Sequence, residues 1–200
     1  EDPDAMLAYE TDKTWNLVEE LIEDLEPFNV LRCGIDFHNL KAAIKLVYSG
    51  EYDEESSARY FRSHGTVALE TIVDAARRHD FSELPPALAK AGSHAYEVLA
   101  HTASGQACDM SIDCAALVEM QSLAENTGSE LLMFYARLTA DTANIKSAIR
   151  ACRMGRDAGP LHFAARRPRA VFVGATSAAC ATCRPGGGPA AHGPAGHVSC

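Results

Sequence analysis

Apolar residues recur at helical spacing along most of the first 157 positions. Trp15, Val18, Leu21, Ile22 and Leu25 follow the i, i+3, i+4 rule, and Pro27 is expected to end that run. A second helix is predicted from about Phe28 to Gly50, with Phe37, Leu40, Ile44, Val47 and Tyr48 on one side and Gly50 as C-terminal cap. Asp53 is placed to cap a short helix carrying Tyr60 and Phe61 as core residues. Thr66 is placed to cap another, with Leu69, Ile72, Val73 and Ala76 on one stripe and Arg77, Arg78 and His79 in the last turn, where cations suit the helix dipole. Leu84-Pro85-Pro86 opens a helix with Leu88, Ala95, Val98 and Leu99 apolar and Gly105 beyond its end. Asp109 is then read as the cap of a helix that turns Ile112, Leu117, Met120 and Leu123 inward and closes at Gly128. The last helix runs from Ser129 to about Arg156, with Leu131, Tyr135, Leu138, Ile145 and Ile149 in phase. Nothing alternates with period two, so the fold class is all-α.

A repeat lies beneath the helices. Residues 32–45 (RCGIDFHNLKAAIK) and 137–150 (RLTADTANIKSAIR) align without a gap at an offset of 105, with Arg32/Arg137, Asp36/Asp141, Asn39/Asn144 and Lys41/Lys146 among the identities. The implied unit is a helical bundle of that length. Asp and Asn three apart share one helix face, and the Ala seven after the Asp allows a neighbouring helix to approach closely. Arg32 can pair with Asp36, and Arg137 with Asp141, at i, i+4. Both copies are read as packing hubs, with the amides of Asn39 and Asn144 buried and bonded to neighbours.

Composition changes abruptly near Asp157. All 27 acidic residues lie at or before it, whereas residues 158–200 hold four Arg, no Asp, Glu or Lys, and 23 Ala, Gly and Pro in 43 positions. Such a tail cannot bury enough apolar surface to offset chain entropy and is expected to be disordered. The domain reading is therefore residues 1–50 as the end of a first helical repeat, 51–157 as a second, and 158–200 as a low-complexity tail. The acidic body argues against a nucleic-acid partner and favours a basic protein partner. The start, EDPDAMLAYE, resembles neither a signal nor a transit peptide, and no apolar run reaches membrane-spanning length, which gives a cytoplasmic expectation. Glu1 in place of Met suggests that something precedes it.

Candidate chemistry is sparse. The seven cysteines are irregularly spaced and read as reduced thiols, with Cys33, Cys108, Cys114 and Cys152 as small core residues. Cys180 and Cys183 form CxxC, and His192, His197 and Cys200 follow at spacings zinc could use. An out-of-frame reading of a GC-rich gene yields the same residue types, and no apolar residues between these positions would support a metal. The accidental reading is preferred, so no cofactor or metal is assigned. The glycine run Gly186-Gly187-Gly188 lacks the Lys of a phosphate-binding loop, His94 and His101 have no third ligand, and no catalytic residue is assigned.

The string LRCGIDFHNLKAAIKLVYSGEY resembles the D-x-H-N-[LI]-K signature helix of the C subunits of archaeal and bacterial A/V-type rotary ATPases, the family that includes the d subunit of eukaryotic V-ATPases. TADTANIKSAIRACRMGRD is similar to that family's later segment, and YFRSHGTVALETI followed by DMSIDCAALVEM matches the stretch between them. The resemblance covers roughly residues 10–157 and departs from the pattern at two points. His38 has no counterpart in the second copy, and after Asp157 the chain turns into the tail, which suggests a frameshift or mis-called gene end; part of the first bundle is also expected to be missing. The resemblance implies three helical bundles forming a funnel. It implies a non-catalytic central-stalk protein that receives the rotor stalk, contacts the membrane ring and associates peripherally with the inner face of the plasma membrane. The competing reading is a free-standing helical adaptor with a zinc-binding tail.

Overall fold

The computed structural model describes residues 3–153. The tail, with its CxxC and histidines, lies outside the described residues. Among the described residues seven α-helices follow in order: α1 (Pro3–Leu21), α2 (Asn29–Ser49), α3 (Glu54–Ser57), α4 (Leu69–Arg78), α5 (Pro86–Thr102), α6 (Gly105–Thr127) and α7 (Glu130–Arg153). Short 3-10 turns at Glu26–Phe28 and Ala58–Tyr60 lead into α2 and out of α3, and no strand occurs among the described residues. The all-α expectation holds. The chain divides into two compact units, one ending at Asp141 and the other beginning at Thr142.

In the first unit α2 is the central element and packs against α4, α5 and α6. Its Phe37, Leu40 and Ile44 meet Ile72 and Ala76 of α4, Leu88, Ala95 and Leu99 of α5, and Cys108 and Ile112 of α6 in one buried cluster. A second cluster joins Val30 and Cys33 of α2 to Met120 and Ala124 of α6 and Ala136 of α7. Ala43, the small residue seven after Asp36, is fully buried, consistent with close helix approach at that point. Burial pushes the Cys33 thiol up to about 12 and the Cys108 thiol up to about 11, so both stay protonated and serve as core residues.

Several boundaries differ from those the local pattern suggests. The first helix ends at Leu21, and Pro27 sits at the start of the following 3-10 turn, where its missing N–H costs nothing. Asp53 caps α3 as expected, its carboxylate accepting from Ser56 N at 2.9 Å. Thr66 does not cap α4, which begins after Ala68 without a side-chain cap; its hydroxyl is bonded to α2 instead. Asp109 lies inside α6, one turn past the true cap, Ser104, which accepts from Ala107 N. Gly50 closes α2 at φ 73°, a left-handed value that glycine adopts without a Cβ penalty. Tyr60, read as a core residue, is exposed, as is Tyr48 on the apolar side of α2, while Phe61 is half-buried.

Candidate functional site

Residues 32, 36 and 39 fall on one face of α2, and that face holds the loop between α3 and α4. Asn39 is buried and takes both backbone groups of Arg62: its Nδ2 donates to the carbonyl and its Oδ1 accepts from the N–H, each at 2.9 Å. Arg32 donates through Nε to the His64 carbonyl at 2.9 Å and through Nη2 to the Gly65 carbonyl at 2.8 Å. Asp36, also buried, accepts from Thr66 N at 2.8 Å, Val67 N at 3.1 Å and the Thr66 hydroxyl at 2.6 Å. The loop thus descends α2 from the level of Asn39 to that of Arg32, turns through His64 at φ 63°, and climbs back to Asp36. Half-buried His38 adds a contact from Nε2 to the Tyr60 carbonyl at 3.0 Å. Burial, helped by the Arg62 charge, holds its imidazole below the usual range, which favours a neutral ring donating that proton.

Arg32 and Asp36 therefore do not pair directly; each is engaged by loop backbone. An extended loop cannot satisfy its own N–H and C=O groups, and side chains of fixed spacing on a rigid helix supply the missing partners. On another side of α2, Lys41 pairs with Asp113 at 2.7 Å and Lys45 with Asp109 at 3.2 Å, joining α2 to α6. These are partly exposed ion pairs, each worth about 0.2–1 kcal/mol, so the buried clasp outweighs them.

Burial raises the Asp36 carboxyl above its usual range, and the bonds from Thr66 and Val67 with the Arg32 charge only partly oppose it. A carboxyl raised on folding contributes most below the unfolded aspartate range, about pH 3.9, and less as pH climbs through the raised value. Asp36→Asn keeps the oxygen that accepts from Thr66 N and Val67 N but does not titrate. The stability of the unmodified protein relative to Asp36→Asn should therefore fall as pH rises from about 4 to 7. Urea midpoints across that range measure it, and a difference that rises instead would show the hydrogen bonds outweighing burial.

The second signature is placed differently. Arg137, Asp141 and Lys146 are exposed, and no ion pair joins Arg137 to Asp141 among the described residues. Asn144 is half-buried, with Oδ1 shielded from solvent and without a hydrogen-bond partner among the described residues. Of the expected pair of bonded asparagines, the described residues thus show partners for Asn39 and none for Asn144 Oδ1. The apolar stripe shows the same contrast. At the offset of 105, Val30, Cys33, Leu40 and Ile44, at most 4 % exposed, correspond to Tyr135, Leu138, Ile145 and Ile149, which are 40–53 % exposed. With Leu131, these are the residues that the sequence places in phase along the last helix. Periodicity specifies an apolar face but not whether another element covers it.

Sequence reasoning missed the other half of the clasp, residues 62–67. Ser-His-Gly-Thr between two helices was the available signal, since such residues mark turns rather than helix interiors. His94 and His101 are both exposed on α5, and no group of three His, Cys, Asp or Glu side chains able to hold a metal occurs among the described residues. No described helix is long and apolar enough to cross a membrane.

Fold and site together define an all-α protein whose polar signature helix is engaged in bracing its own connecting loop. The chain belongs to the ATP synthase (C/AC39) subunit family, whose model matches residues 2–166. No match was found among curated proteins or among solved structures.

Proposed function

We propose that this chain acts as a non-catalytic central-stalk subunit of a V/A-type rotary ATPase, coupling the rotor stalk to the membrane ring for proton or sodium transport. Family membership supports an ATPase subunit. The observation that favours a mechanical role is the use of the polar residues of α2: Arg32, Asp36 and Asn39 hold loop backbone, and Lys41 and Lys45 hold α6. Torque transfer needs a body that does not yield, and close-packed helices with a braced loop resist strain. The partners in this reading are the central-stalk and ring subunits, met at the cytoplasmic face by peripheral association. The domain reading of repeated bundles, 1–50 and 51–157, belongs to the same proposal, with Arg32–Lys41 and Arg137–Lys146 as the corresponding segments of the sequence repeat.

The sequence carries a formal net charge of −9, so attraction to a basic stalk surface should contribute to docking and weaken with salt. Immobilised full chain should capture purified central-stalk subunits at low ionic strength, lose most of them as salt rises, and hydrolyse no ATP alone. Failure to capture stalk or ring under conditions in which authentic ATPase parts assemble overturns the assignment.

A further inference from the structure

α7 runs unbroken from Glu130 to Arg153, and the back of the helix is already occupied. Ala136 packs in the cluster with Val30, Cys33, Met120 and Ala124, flanked by half-buried Leu132 and Met133, and Ala140 is buried one turn further on. The opposite face is bare. Leu131, Tyr135, Leu138, Thr142, Ile145 and Ile149 are all exposed there, and Phe134 beside them is exposed too. The six positions follow one another at steps of four, three, four, three and four residues, which is the spacing of a coiled-coil seam. An apolar row of this length left in water marks a docking surface.

A second copy of α7 fits that row, and charge sets its direction. In heptad order Leu131, Leu138 and Ile145 take position d, Tyr135, Thr142 and Ile149 take a, Asp141 takes g and Lys146 takes e. In a parallel pair each g residue faces the e residue five positions further on in the other helix. Asp141 of each copy therefore meets the partner's Lys146, and two ion pairs flank the seam. Both residues are exposed, and neither is in an ion pair among the described residues. Thr142 then lies against the partner's Thr142, one polar layer in an apolar stack, and such a layer fixes register at some cost in stability. An antiparallel pair with its apolar rows matched sets Asp141 beside the partner's Asp141 and Thr142 against the partner's Leu138. Like charges and a buried hydroxyl against an apolar side chain oppose that arrangement.

We propose that the outer face of α7 is a self-association surface, on which two copies of the chain pair as a parallel coiled coil held in register by Asp141 and Lys146. The seam has six positions a side, against the roughly 20–30 residues a side of a standard interface, so the dimer is weak and forms as concentration rises. The chemistry of this face alone selects the partner, so the dimer stands or falls separately from the rotary assignment.

Sedimentation equilibrium of the full chain, with reductant present so that thiols do not link copies, should show a reversible monomer–dimer equilibrium. Leu138→Glu, on the exposed side of the helix, should weaken association by more than about tenfold, because the seam loses an apolar side chain from each copy and gains two like charges. Its melting temperature at low concentration should stay that of the unmodified chain, since Leu138 takes no part in the core. Asp141→Lys and Lys146→Asp should each weaken association by roughly three- to tenfold, because each sets two like-charge pairs where two opposite pairs stood. The double variant Asp141→Lys with Lys146→Asp should restore it. A double variant no tighter than either single one overturns the parallel register. A chain that stays monomeric at every concentration, as it would if this face served a different protein, overturns the surface, and so does a dimer that Leu138→Glu leaves intact.

Discussion

Gly65→Ala is expected to destabilise the protein by about 2–4 kcal/mol, despite the usual gain of a few tenths to 1 kcal/mol from replacing glycine at an ordinary backbone conformation. A Cβ added there would fall inside 3.0 Å of Asp36 Oδ1, with Asp36 Cγ at 3.5 Å and Ile35 Cγ2 at 3.6 Å. The carboxylate cannot move aside cheaply. It is buried and holds three donors, so turning it away leaves Thr66 N, Val67 N and the Thr66 hydroxyl without their acceptor. Lifting the loop instead breaks the Arg32 bonds to His64 and Gly65. Thermal melting should show a loss of roughly 8 °C for a body of this size. The cost should be largely absent in an Asp36→Ser background, with a coupling above about 1 kcal/mol in the double-mutant cycle. Additive effects would mean that the carboxylate does not set the space at Gly65.

Gly92→Ala should also destabilise, by about 1–3 kcal/mol, where an exposed mid-helix glycine would gain up to about 1 kcal/mol from the same change. Gly92 is buried inside α5, and a Cβ there would lie 2.5, 2.8 and 2.9 Å from Cδ1, Cγ and Cε1 of Phe81. Phe81 is buried in the main core cluster, so its ring cannot swing away without moving its neighbours. Adding Phe81→Leu should recover part of the loss by vacating the face of the ring. Urea unfolding of the two single variants and the double variant decides it, and a stabilised Gly92→Ala would show that the packing there gives way easily.

Some features were legible in the sequence because they depend on interactions within one or two helical turns. The helices around Phe37–Ile44 and Leu69–Arg78, the caps at Asp53, Gly50 and Gly128, and the repeat linking Arg32–Lys45 to Arg137–Arg150 all follow from spacing and local backbone chemistry. The same reasoning misassigned Thr66 and Asp109, because a side chain able to cap a helix can bond elsewhere when tertiary structure offers a partner. Asp36 became that partner for Thr66, 30 residues away, and Lys45 became that partner for Asp109, 64 residues away.

Tertiary structure alone decided the use of the signature. Arg32, Asp36 and Asn39 find their partners 23 to 33 residues along the chain, in a loop whose path no local pattern encodes. An i, i+4 spacing made Arg32 and Asp36 candidates for each other, yet the backbone of the α3–α4 loop took both. The two copies of the motif show the limit most directly. Identical residues at Asn39 and Asn144 have the same helical phase, but one has both amide atoms bonded to Arg62 and the other has an oxygen without a partner among the described residues. Sequence specifies which groups a helix face presents, whereas a bond also requires a second segment at the right distance, and folding of the whole chain alone supplies it.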